Sequence, residues 1–209
     1  MTYIGAVVSA GRPRGPYAGA AERRAAIVDA AFTVFAAHGY AGGSLQKVAD
    51  LVGMSQTSLL HYFPKKSDLL LAVLRKRDEM GEVVLPPGGA FIDAVLRQVR
   101  ANETIQGVIE LYTVLAGEAV TRGNPGREYM SRRLAGIRDE YTRKFRDLAD
   151  AGRLRPGMTP EVAAASLVAL WDGLQLQWLL DPDAVDIASH LQSFFDVIVL
   201  PAESPAPST

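Results

Sequence analysis

The sequence predicts an all-α protein of about nine helices, in which a small N-terminal helix-turn-helix unit precedes a larger helical unit. Three observations carry that expectation. Apolar residues recur every three or four positions along most of the chain, capping residues precede those runs, and Gly and Pro punctuate them. No sustained strand alternation and no internal repeat is present.

Taken in order, the elements justify themselves locally. Ile27, Ala31, Val34, Phe35 and His38 share helical spacing, and Gly39 follows where a left-handed residue closes a helix, so a first helix is expected over about 21–38. Ser44 is a good N-cap for a short second helix whose apolar face is Leu45, Val48, Ala49 and Val52. Ser55 caps a third, with Met54 and Leu59 placed as a hydrophobic staple. The tight corner Gly53-Met54-Ser55 between them is the signature of a helix-turn-helix. Pro64 stops the third helix, and a fourth runs from Lys65-Lys66-Ser67-Asp68 through Leu69, Leu70, Val73, Leu74 and Arg77.

Gly81 and Pro86-Pro87-Gly88-Gly89 form the clearest break. We expect a flexible leader over 1–19, a helix-turn-helix domain over 20–81, a larger helical domain over 82–200, and a disordered tail over 201–209. Five longer helices are expected in the second domain, at about 90–101, 103–121, 127–151, 160–180 and 184–199. Thr159-Pro160-Glu161 is a strong helix start, combining a capping hydroxyl, a proline at the first position and an acid on the positive end of the dipole.

Composition removes whole classes of function. The chain has 209 residues and no cysteine, so disulfides, Cys-ligated metal sites and thiol nucleophiles are excluded. A 48% hydrophobic share is too high for a wholly disordered protein. The early apolar run Tyr3 to Ala10 falls short of the roughly 20 residues that span a bilayer, and no basic residue precedes it as in a signal peptide. A cytoplasmic protein with no membrane partner is expected. The net charge of −1 hides an asymmetry, because residues 1–80 hold ten basic and six acidic side chains while the remainder holds twelve and seventeen. A basic front on an acidic body directs one end towards an anionic partner.

The run Ile27-Val28-Asp29-Ala30-Ala31-Phe32, Phe35 to Gly39-Tyr40, Ser44 to Val48-Ala49, Val52-Gly53-Met54-Ser55, Leu59, His61-Tyr62-Phe63-Pro64-Lys65-Lys66 and Leu69-Leu70 resembles the N-terminal domain of the TetR family of transcriptional regulators. A looser likeness links Leu170-Trp171-Asp172-Gly173-Leu174-Gln175 and Trp178 to Pro182 with the end of that family's ligand-binding domain. The resemblance implies a homodimer that inserts its third helices into successive major grooves of a near-palindromic DNA operator and answers to a small-molecule effector. Repression relieved by that effector is the expected direction of control, and no cofactor is implied.

Carried onto this sequence, the resemblance makes Gln56, Thr57, Ser58 and His61 the base-contacting positions of the third helix, with Gln46 of the second helix beside them. Gln can pair with adenine and Thr can touch a thymine methyl. Ser44, Tyr62 and Lys66 are the expected phosphate contacts, with Lys47 as a helper, and they set register without reading sequence. Arg12 and Arg14 are candidates for a minor groove. Leu60 departs from the family, where many relatives carry an aromatic, so no relative's operator preference transfers directly.

A ligand pocket is expected among the long helices, with Phe91, Tyr112, Glu118, Tyr129, Tyr141, Trp171, Gln175 and Trp178 as lining candidates. The last two helices offer Leu167, Leu170, Leu174 and Trp178, then Leu191, Phe195 and Ile198, either as the monomer's own core or as a self-complementary dimer interface, and the resemblance to a dimeric family favours the interface. Two rivals stand beside this reading. One is a helical interaction protein of the same fold without DNA binding. The other is a helical enzyme using His38, His61 or His190 with Asp29, Asp172 or Asp186, which the scattered placement of the histidines disfavours, as no HExxH or paired-ligand spacing occurs and no metal site is expected.

Overall fold

A computed structural model describes residues 16–80, 86–105 and 107–201. Its helices are α1 (Pro16–Gly42), α2 (Leu45–Leu51), α3 (Gln56–Tyr62), α4 (Lys66–Met80), α5 (Ala90–Thr104), α6 (Val108–Ala119), α7 (Arg127–Asp150), α8 (Pro160–Leu180) and α9 (Ile187–Ile198). The sole β feature among the described residues is a single bridge, Leu154 to Val199. Arg12, Arg14, Gly81 and residues 202–209 lie outside the described residues, as does the expected boundary at 81–82.

Helix α1 starts at Pro16, so the last residues of the expected leader are helical. It bends at Gly39, whose φ of 66° and ψ of −179° break the helical path before one further turn. The following helices start as their capping residues dictate. Ser44 Oγ accepts the Lys47 N–H at 3.1 Å, and Ser55 Oγ accepts the Ser58 N–H at 3.1 Å. Each such cap is worth roughly 1 kcal/mol. Gly53, at φ 66°, turns the chain between α2 and α3.

Two buried clusters divide the interior. The first joins Ile27, Ala31 and Phe35 of α1 to Val48, Leu59, Phe63 and the inner face of α4, and it also takes Leu111, Tyr112, Leu115 and Ala119 from α6. The helix-turn-helix unit therefore does not close its core alone, because α6 forms part of it. By length and composition Gly19–Gly42 passes for a membrane-crossing helix, but its inward side is packed in this cluster. The second cluster joins α5, α7, α8 and α9 around the rings of Phe91, Phe145 and Phe195, with Phe91 lying 5.3 Å from Phe145 and 6.0 Å from Phe195 between centroids.

That second cluster redistributes the expected dimer contacts. Leu167, Leu174, Leu191, Phe195 and Ile198 are buried inside the single chain, and Leu170 and Trp178 pack partly against the same cluster. Their helical spacing is that of a core face. The other side of α8 is the one left open, where Val162, Ala165, Ala169, Gly173, Leu176 and Leu180 are all exposed at intervals of three or four.

Candidate nucleic-acid interface and effector cavity

Helix α3 is fixed from beneath by Leu59 and Phe63, both buried in the first cluster, with Met54 packed against it at the entry to the helix. Gln56, Thr57, Ser58 and His61 consequently occupy its exposed side. The Ser58 and Ser55 hydroxyls lie 2.9 Å apart, so Ser58 is shared between its own cap and any outside partner. Gln46 is exposed on α2, where its amide donates to Asp50 Oδ1 at 2.6 Å.

The expected phosphate contacts separate into two kinds. Lys47 is exposed, and the Ser44 hydroxyl oxygen serves as the cap of α2. Tyr62 is half-buried against the first cluster. Lys66 instead turns to the α1–α2 corner, where Nζ donates to the Ala41 carbonyl at 3.4 Å and lies 4.6 Å from the centre of the Tyr40 ring. Burial there lowers its pKa, against an upward pull from Glu118.

A cavity of about 650 Å³ opens between the two clusters. Side chains three, four and seven residues apart on α8 form one wall, namely Val168, Trp171, Asp172 and Gln175. Tyr129, Arg133, Ile137 and Tyr141 of α7 form another, and Tyr112 of α6 and Arg77 of α4 complete the inner end. Five of the eight expected lining residues are thus present: Tyr112, Tyr129, Tyr141, Trp171 and Gln175.

Phe91, Glu118 and Trp178 do not line it. Phe91 is spent in the aromatic core, and Trp178 packs against the same cluster lower on α8. Glu118 points away to α1, where its carboxylate accepts the backbone N–H groups of Tyr40 (2.5 Å) and Ala41 (3.1 Å).

The sequence reading missed the cavity's charged network. Asp78 accepts from Arg77 at 3.3 Å, from the Tyr129 hydroxyl at 2.5 Å and from Arg133 Nε. Both guanidinium groups also stack on Tyr112, at 4.4 Å for Arg77 and 5.0 Å for Arg133. The Tyr112 hydroxyl donates to Asp172 at 3.4 Å, and burial with that carboxylate pushes the phenol up to about 12. Burial also raises the carboxyl of Asp172, with Arg133, Tyr112 and Arg77 pulling it back. Arg77 Nε, Gln98 Oε1 and Trp171 Nε1 are buried without a hydrogen-bond partner among the described residues, and all three residues line the cavity.

The histidines considered for catalysis are all exposed and dispersed. His190 Nδ1 pairs with the backbone oxygen of Asp186, while the Asp186 carboxylate bonds Arg100 and caps α9. Asp29 pairs with Lys76. No group of three metal-ligating side chains occurs among the described residues.

Comparison with known proteins follows the same division of the chain. Residues 27–73 match the model for bacterial regulatory proteins of the tetR family, and residues 112–197 match that for the C-terminal part of BetI-type transcriptional repressors. The transcriptional regulator RutR of Escherichia coli O157:H7 is 30% identical over 165 residues, covering 73% of this chain and 72% of its own. The chain belongs to the TetR family. As a TetR-family member it is a DNA-binding transcriptional regulator, and the helix-turn-helix lies inside the first matched segment. Solved structures show the same fold. NalD, the secondary repressor of the MexAB-OprM efflux pump in Pseudomonas aeruginosa, superimposes with a TM-score of 0.68 at 23% identity, over 86% of this chain and 98% of its own. SmeT, repressor of the Stenotrophomonas maltophilia SmeDEF pump, in its complex with triclosan, gives 0.67 at 20% identity, over 90% and 99%.

Proposed function

We propose that this TetR-family regulator is a cytoplasmic repressor without enzymatic activity, which binds a near-palindromic operator as a homodimer and leaves it when a small molecule fills the cavity. The observation that carries the reading is the exposed side of α3, where Gln56, Thr57, Ser58 and His61 stand together over a buried staple. Side chains so held can meet base edges in a major groove, with Lys47 and Ser44 steadying the duplex through its phosphates.

Dimerisation through α8 is supported by its open stripe. Val162, Leu176 and Leu180 are 52, 49 and 80% exposed, and Ala165, Ala169 and Gly173 between them let two helices approach closely. An apolar stripe running the length of a helix is what a two-fold partner covers. An aromatic effector is supported by the tyrosine and tryptophan walls, by the three unpartnered polar atoms on cavity residues, and by SmeT's complex with triclosan.

Selection of duplexes from a random pool by the purified full chain, in about 0.15 M salt, tests the reading. Enrichment of a two-fold-related sequence is expected, with half-sites about one helical turn apart or a multiple of it. No enrichment would favour the interaction protein without DNA binding.

A further inference from the structure

We propose that Glu118 is the positioning residue through which a displacement in the cavity reaches the DNA-reading helices. The inference rests on the proposed function, and it adds the residue that carries the signal.

Glu118 stands at the C-terminal end of α6, where the helix dipole disfavours a carboxylate. Its compensation comes from another element. At Gly39 the backbone enters the left-handed region, and the next two N–H groups, of Tyr40 and Ala41, converge on the two carboxylate oxygens. Successive backbone N–H groups beside such a residue form a concave anion site, and here the anion is a side chain of this chain. The fit is close, because a Cβ on Gly39 would lie 2.5 Å from Glu118 Oε1. Lys66 closes the other side through the Ala41 carbonyl and the Tyr40 ring.

Position makes this contact a coupling device. Tyr112, held between Arg77 and Arg133 at the inner end of the cavity, is six residues upstream on α6, about 9 Å along the helix axis. Three residues beyond Ala41, Ser44 caps α2, which is joined to α3 by the tight turn at Gly53. A shift of Tyr112 moves α6 as a rod, draws the carboxylate from the two N–H groups and frees the corner that orients the helix-turn-helix.

Amide hydrogen exchange at Tyr40 and Ala41, measured on the full chain without DNA, reads the contact directly. Glu118→Ala should speed exchange at both amides at least tenfold and lower affinity for a selected operator at least tenfold. Glu118→Gln, which keeps the volume and one acceptor oxygen, should fall between. Tyr112→Leu should also speed these two amides, yet add nothing in the Glu118→Ala background, since coupled residues are non-additive. Unchanged exchange in Glu118→Ala and Glu118→Gln would overturn the proposal. Equal effects of Tyr112→Leu in both backgrounds would overturn it as well. The exchange measurement needs neither operator nor effector, so a protein that selects no duplex fails the functional reading alone.

Discussion

The guanidinium of Arg77 lies 4.4 Å from the centre of the Tyr112 ring, which joins α4, the helix after α3, to the inner end of the cavity. Arg77 is buried, and its ion pair with Asp78 and its place on the ring are what make that burial tolerable. Arg77→Met keeps most of the volume while removing both contacts. It should destabilise the fold by about 1–3 kcal/mol, read as a lower urea midpoint with an unchanged slope. A midpoint equal to that of the unsubstituted protein would show the stack to be energetically idle.

Phe195 belongs to the core of one chain. Phe195→Asp places a carboxylate against Phe91 and Phe145, and should cost more than about 4 kcal/mol, abolishing the helical circular dichroism near room temperature. Leu180→Glu on the open side of α8 should change monomer stability by less than about 0.5 kcal/mol and halve the mass seen by light scattering. A folded, half-mass Phe195→Asp protein would reverse this assignment.

Lys47 and Lys66 should behave differently on DNA. Lys47→Ala should weaken all duplexes alike and flatten the salt dependence of affinity by about one unit of slope. Lys66 is engaged with Ala41 and Tyr40, so Lys66→Ala should alter the slope less while loosening the α1–α2 corner. Equal slopes for the two variants, from affinity titrations across salt, would show that Lys66 leaves the corner for a phosphate.

Asp186 pairs with Arg100 and caps α9, and these bonds, that from Arg100 foremost, lower its pKa from 3.8 to about 2. A lowered carboxylate stabilises the fold above its unfolded pKa, and that share is lost as pH falls from about 4 towards 2. Asn caps equally well without the charge. The thermal midpoints of the parent and Asp186→Asn should therefore differ at pH 6 and converge near pH 2, with a gap of less than about 1 kcal/mol because the pair is exposed. A gap constant with pH would show that the charge contributes nothing and that Asn is the poorer cap here.

Much of the fold was legible because it is locally encoded. Ser44, Ser55 and Thr159 cap the helices their positions announce, and Gly39 and Gly53 turn where a left-handed residue is needed. The division of α8 into a buried and an open side was less so. A spacing of three and four marks both sides of an apolar helix, and the larger residues Leu167 and Leu174 went to the core while Ala165, Ala169 and Gly173 stayed outside. Glu118 resembled a ligand anchor because it is an acid near the end of a largely apolar helix. Its partners are backbone N–H groups 77 and 78 residues away, which no side-chain pattern records. The Arg77, Asp78 and Arg133 network was missed because it joins side chains of two helices, α4 and α7, 55 residues apart, which no local spacing connects.

The most direct test of the central claim, that α3 reads bases, is to repeat the duplex selection with the His61→Ala protein beside the unsubstituted one. The account predicts a two-fold-related consensus for the unsubstituted protein and loss of preference at one symmetry-related position per half-site for the variant. An identical consensus from both, or none from either, would contradict it.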